Sequence, residues 1–80
     1  MKYVIIDWGG VECPLLFPCF WNHDDIARAV QGRGKPVSAG LVKRDDGGRL
    51  YVTGRSVSLG VNSRPVEDLD IILKAIDFEM

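Results

Sequence analysis

Side chains that do covalent or metal chemistry are scarce in this chain. It holds one histidine, His23, and two cysteines, Cys13 and Cys19. Two cysteines do not make a disulfide framework, and they are read as reduced thiols. Nor do they show the Cys-x-x-Cys or paired-histidine spacing of a structural zinc site. Apolar runs are short as well. None approaches the ~18 residues needed to span a bilayer, so no membrane partner is expected. The opening MKYVIID is too brief and too soon interrupted by charge to read as a signal peptide, so the expected setting is cytoplasmic. Internal repeats, linkers and low-complexity segments are missing too, which leaves a single domain over residues 1–80.

What is present is globular. Hydrophobic residues make up 46% of the chain and charged residues 26%, with a net charge of −1. Disorder would require lower hydrophobicity or a larger net charge. Trp8, Trp21, Phe17, Phe20, Phe78, Tyr3 and Tyr51 supply large apolar bodies for a core. A chain this short buries only ~60–65% of the surface its unfolded form exposes. Small cores are often supplemented by self-association, so a homodimer is one expectation.

Charge is near balance but unevenly spread. Residues 1–25 sum to −3, residues 26–64 to +6 and residues 65–80 to −4. The acidic and basic segments can pair within one monomer, pair across a dimer, or leave a basic face free. Solvation on an ordinary surface is the plainest reading, because exposed ion pairs are weak.

Residues 3–8 are β-branched and aromatic, apolar on both faces, and predict a strand with little exposure. Gly9 and Gly10 predict a turn, and residues 11–17 a second strand that Pro14 confines to an edge or interrupts. Asn22, Asp24 and Asp25 predict a helix start by capping and by their fit to the helix dipole. Ile26, Ala27, Ala29 and Val30 form its apolar face, and Gly32 and Gly34 stop it. Residues 37–44 and 49–53 read as a hairpin about Asp45-Asp46-Gly47-Gly48. Gly54-Arg55 is a bulge or a tight turn, and residues 56–61 alternate like a fifth strand. Ser63 is a good cap for a final helix opened by Pro65, with Val66, Leu69, Ile72, Leu73 and Ile76 as its apolar stripe. The expected fold is α+β: a small antiparallel sheet of four to five strands, order β-β-α-β-β-α, with two helices packed on one face.

Catalytic candidates are few. His23 beside Asp24 and Asp25 has the makings of an oriented acid–base group. Its plainer reading is the first residue of an exposed, capped helix. Cys19 lies four residues before His23, close enough in sequence to suggest a thiolate pair. No oxyanion donor or third orienting residue accompanies it, and Phe17, Phe20 and Trp21 suggest a cysteine packed among aromatics. A metal would have to draw on Cys13, Cys19, His23 and a neighbouring aspartate. Gly32-Arg33-Gly34-Lys35 invites comparison with a phosphate loop, yet it follows a helix and so lacks the helix N-terminus that makes such loops work. No catalytic residue, metal ligand or cofactor is therefore expected. A Cys/His- or metal-dependent enzyme ranks third among the functional readings.

Binding ranks above it. Phe17, Phe20 and Trp21 form an aromatic cluster rich enough for a protein-binding hot spot, and equally suited to a core. A protein partner is the first expectation. The second is contact with a nucleic-acid phosphate backbone through the basic 33–55 hairpin, using Lys43, Arg44, Arg49 and Arg55, with Arg33 and Lys35 nearby and Tyr51 as a stacking surface. Asp45 and Asp46 at the hairpin tip and the pI near 5.7 weigh against it.

The segments Phe17-Pro18, Asn22-His23-Asp24-Asp25-Ile26-Ala27-Arg28, Val37-Ser38-Ala39-Gly40, and Gly54-Arg55-Ser56-Val57-Ser58-Leu59-Gly60-Val61-Asn62-Ser63-Arg64-Pro65 together resemble a family of small uncharacterised bacteriophage and prophage proteins of unknown function. The resemblance covers most of the chain, through ordinary structural motifs. It implies phage or prophage origin, a cytoplasmic setting in an infected bacterium, and an accessory role toward host proteins or phage assembly. It assigns no activity to any residue.

Overall fold

The computed structural model describes residues 1–29 and 34–79, the side chains of 77–79 excepted. Val30, the helix stop at Gly32, Arg33 of the basic segment and the side chain of Phe78 therefore lie outside the described residues. The elements are β1 (Lys2–Asp7), β2 (Glu12–Phe17), α1 (His23–Ala29), β3 (Lys35–Arg44), β4 (Leu50–Thr53), β5 (Arg55–Ser56), β6 (Val61–Asn62) and α2 (Pro65–Glu79). The first four strands form one antiparallel sheet in the order β2-β1-β3-β4. β5 and β6 pair only with each other. The α+β class read from the sequence is the class observed.

β1 sits inside the sheet, and its alternation divides the core. Tyr3 and Ile5 point to one side, where Val52 and Ile72 complete a buried cluster backed by Val37, Val42, Leu69, Ile71 and Ile76. Val4 and Ile6 point to the other, joining Phe17 and Ala39, with Trp8, Leu15, Ile26, Leu59 and Val61 packed around them. α2 therefore covers one face, and α1 with the β5–β6 ribbon covers the opposite one. This corrects the expectation of two helices on one face. The physical reason lies in β1 itself: a strand apolar on both sides must be covered on both sides.

The turns follow the local chemistry. Gly9 and Gly10 adopt positive φ values of 68° and 101°, and the Gly10 N–H donates to Asp7 Oδ1. At the β3–β4 hairpin the Asp45 carboxylate accepts from the N–H groups of Gly47 and Arg49. Pro14 lies on edge strand β2. The bond from Trp8 N–H to the Val11 carbonyl fixes the phase of that ladder. By the same alternation, Pro14's missing donor falls on the outer, unpaired side, where it costs no ladder bond.

Residues 56–61 do not form a fifth strand of the sheet. Gly60 N–H donates to the carbonyls of Ser56 and Val57, so the segment closes on itself as a tight turn between two short strands. Its apparent alternation buries Ser56 and tucks Leu59 and Val61 against the α1-side core. The apolar stripe of α2 also differs from expectation. Val66 is 78% exposed and Leu73 40%, whereas Asp68 is completely buried. The helix starts at Pro65 with Arg64 in the cap position instead of Ser63: the Arg64 carbonyl accepts the first helical bond, from Asp68 N–H at 2.8 Å, and the Arg64 N–H donates to Asp68 Oδ2 at 2.8 Å.

Candidate functional site

Three of the expected binding residues are split by the fold. Phe17 is 3% exposed and belongs to the α1-side core, so it is not available to a partner. Phe20 and Trp21 are 80% and 49% exposed and meet edge to face, with ring centroids 6.1 Å apart. The cause is the sharp turn after β2, closed by Trp21 N–H donating to the Pro18 carbonyl. Phe17 is the last inward residue of the strand, and the next two rings are carried outward. Lys2 Nζ donates to the Trp21 carbonyl at 2.8 Å and ties this turn to the start of β1.

Beside the turn lies an open cleft of ≈ 490 Å³, lined among others by Lys2, His23, Asp24, Leu41, Arg55 and Val57. Cross-strand register places Lys43 and Tyr51 opposite one another, on the same face as Leu41 and Lys2. That face thus carries Lys2, Lys43 and Arg55 together with the exposed rings of Phe20, Trp21 and Tyr51. Arg44 projects from the opposite face, near Leu50, Ile72 and Ile76, and Arg49 stands at the hairpin end. The four basic hairpin residues therefore do not form one contiguous stripe.

Among the described residues, Lys2, Lys43, Arg44, Arg49 and Arg55 take part in no ion pair. The acidic segments pair elsewhere: Asp24 and Asp25 with Arg28, Glu12 and Asp68 with Arg64, and Asp70 with Lys74. The hairpin's own Asp45 is held by its turn.

His23 is buried, contrary to its reading as an exposed first residue of a helix. Its Nε2 lies 3.0 Å from the Gly40 carbonyl, and its ring packs edge to face on Phe17 at 5.5 Å. A carbonyl oxygen only accepts, so Nε2 carries the proton. The ring fastens the start of α1 to β3. Cys19 is exposed, contrary to its expected packing among aromatics, while Cys13 is half-buried, and both are free thiols. Among the described residues no three His, Cys, Asp or Glu side chains converge in a way that would hold a metal ion.

Sequence reasoning missed a second polar centre. Asp68 accepts from Tyr3 Oη at 2.5 Å, Ser38 Oγ at 2.8 Å, Arg64 N–H at 2.8 Å and Arg64 Nε at 2.9 Å. Arg64 also grips both oxygens of Glu12, at 2.9 and 3.3 Å. Burial, then the hydrogen bond to and charge of Asp68, push the Tyr3 phenol far above its ordinary pKa. The hydrogen bond to Glu12 raises that of Arg64, and Asp68 adds to it against the opposing effect of burial. The signal was available, since Asp68 stands one helical turn before Ile72 and so on the buried side of α2. Every buried side-chain polar atom of the described residues has a partner. The arrangement is that of a structural clasp that ties α2 to β1, β2 and β3.

No protein-family model, no curated protein and no solved structure matches this chain.

Proposed function

We propose that the chain is a non-catalytic binding module whose docking face is the Phe20–Trp21 turn with the adjoining Lys2–Lys43–Arg55 surface, and whose partner is a protein with an acidic segment. One observation carries this reading: two adjacent aromatic rings stand exposed on a turn tied down by Lys2. Rings held outward on an anchored turn keep their shape on binding, and aromatic and arginine side chains dominate binding energy at protein interfaces. The neighbouring cations have no described carboxylate partner, which favours an acidic complement. The resemblance to small phage and prophage proteins would set this partner in an infected bacterium.

A second reading is favoured by Lys43 and Tyr51 sharing that face with Lys2 and Arg55. Cations interleaved with stacking rings also suit a single-stranded nucleic acid. Two assays separate the readings. The immobilised chain should retain a stoichiometric protein from a bacterial lysate, and Phe20→Ala or Trp21→Ala should abolish that capture while leaving the unfolding midpoint unchanged. Retention of labelled single-stranded DNA or RNA, weakening steeply with salt, would replace the first reading by the second.

A further inference from the structure

The cleft beside the Phe20–Trp21 turn owes its shape to the two covers of the α1 face. Gly54, at a φ of 84°, turns the chain out of β4, so that β5 lies against β3 instead of prolonging the sheet edge. Arg55, Val57 and Ser58 thereby form one wall. The start of α1, with Asn22, His23 and Asp24, forms the other. Lys2 and Leu41, cross-strand partners on β1 and β3, lie between them as the floor. At ≈ 490 Å³ the space has room for a small molecule.

The polar groups around it are sorted by hydrogen-bonding sense. Donors come from the floor and the β5 wall. Lys2 Nζ gives one N–H to the Trp21 carbonyl at 2.8 Å and keeps two. The exposed Arg55 guanidinium has no ion-pair partner among the described residues. Acceptors come from the α1 wall. His23 is 7% exposed and donates through Nε2 to the Gly40 carbonyl, so in the neutral ring Nδ1 is an acceptor. Nδ1 has no partner among the described residues. No buried side-chain polar atom there lacks one, so Nδ1 opens to solvent, and the space its ring lines is the cleft. Asp24 supplies a second acceptor: its Oδ2 is taken by Arg28 at 3.1 Å, which offsets the charge, and Oδ1 makes no described hydrogen bond.

An anion alone leaves the α1 wall unmatched, and a neutral polyol leaves the two cations unmatched. A phosphorylated sugar matches both. We infer that the cleft binds a small sugar phosphate, its phosphoryl group held by Lys2 and Arg55 and its hydroxyls donating to His23 Nδ1 and Asp24. A phosphoryl dianion balances the two cations, and an arginine fork takes two phosphate oxygens at once. Leu41 and Val57 supply apolar contact for the C–H faces of the sugar. The side chains of Phe20, Trp21 and Lys43 are not part of the lining. The site therefore stands apart from docking through the rings, although both use Lys2 and Arg55.

His23 is the only histidine, so its ring gives the only imidazole signals in an NMR spectrum of the full chain. Ribose 5-phosphate should shift those signals and the backbone amides of Lys2, Arg55 and Ser58 in one saturable titration. Inorganic phosphate and ribose each match one wall, and each should bind weaker by about tenfold or more. Arg55→Ala should weaken ribose 5-phosphate and inorganic phosphate alike by about tenfold, since both lose a charge-assisted bond. Asp24→Ala should weaken ribose 5-phosphate alone. Phe20→Ala should leave both affinities unchanged while abolishing capture of the protein partner, which separates failure of this site from failure of the proposed function. No shift at millimolar ribose 5-phosphate, equal affinity for inorganic phosphate, or full affinity in Arg55→Ala would each overturn the inference. So would a single-stranded RNA that displaces ribose 5-phosphate at lower concentration, because the cleft would then be part of a strand-binding surface.

Discussion

On the α2 face the Asp68 carboxylate has no exposure and accepts four hydrogen bonds, whereas on the α1 face Lys2, Lys43 and Arg55 stand in or beside an open cleft without a described carboxylate partner. The same chemical groups serve different ends according to what surrounds them. A buried charge must be fully satisfied, since removing one of its partners leaves an uncompensated ion in a poorly polarisable place. An exposed cation remains hydrated and can exchange that water for a partner. The α2 face is thus where charge holds the fold together, and the α1 face is where charge is available for binding.

The largest effect expected from this contrast is at Asp68. Asp68→Ala strands Tyr3 Oη, Ser38 Oγ and Arg64 together, and breaking a buried pair in this way costs ~3–5 kcal/mol. Chemical denaturation should show that loss, or the chain should fail to fold. Lys43→Ala and Arg55→Ala should shift stability by less than ~0.5 kcal/mol. Equal losses at all three positions would erase the distinction between the faces.

Next in size is Tyr3, through both its hydroxyl and its ionisation. Tyr3→Phe removes one donor to Asp68 and leaves the other three, so the expected cost is ~1–3 kcal/mol at neutral pH. The pH dependence has a definite sign. The native phenol is held protonated far above its ordinary value, while in the unfolded chain it ionises near ~10. Its stabilising contribution is complete below that value and falls above it by ~1.4 kcal/mol per pH unit, because only the unfolded state gives up the proton. Wild type should therefore lose its advantage over Tyr3→Phe as the pH rises beyond about 10. Parallel alkaline unfolding curves for the two proteins would show that the phenol does not titrate as its environment implies.

A third experiment moves from charge to space. Gly40 occupies a position in β3 where a β-carbon would strike the Thr53 carbonyl oxygen and the Ser63 side chain. The contacts are largely backbone, so they yield little, and Gly40→Ala should cost ~1–3 kcal/mol. The carbonyl of the same residue accepts from His23. Backbone displacement at Gly40 should therefore also loosen α1, visible as faster amide exchange in residues 23–29.

These positions also mark what could be read in the sequence. The hairpin at Asp45, the Gly9-Gly10 turn, the edge position of Pro14 and the two helices follow from local chemistry, and local chemistry is written in neighbouring residues. The two-sided cover of the sheet is written in the apolar run of β1, but which element covers which side is not, since that depends on contacts distant in sequence. The Asp68 clasp was harder, because its partners come from β1, β2, β3 and the α2 cap, at separations up to 65 residues. The division of the aromatic cluster was not legible either. Phe17, Phe20 and Trp21 have the same chemistry, and only the direction of the turn after β2 sends the first inward and the other two outward.

The smallest effect gives the sharpest control, because α2 and its cap carry two ion pairs of equal spacing and equal length. Arg64–Asp68 and Asp70–Lys74 are both i,i+4 pairs at 2.9 Å. In the first, Asp68 is fully buried, while in the second both side chains are more than half exposed. Water and salt screen the exposed pair, and holding two long side chains together costs rotamer freedom, so its expected contribution is only ~0.3–0.5 kcal/mol. Lys74→Ala should change the unfolding free energy by no more than that, and the change should vanish in ~1 M salt, where the screening length is about 3 Å. Arg64→Ala should cost several times as much and keep most of that cost in high salt, since its partner is beyond the reach of solvent. If the two variants instead lost equal stability with equal salt dependence, distance would govern these pairs, and the separate roles assigned to charge on the two faces would lose their physical basis.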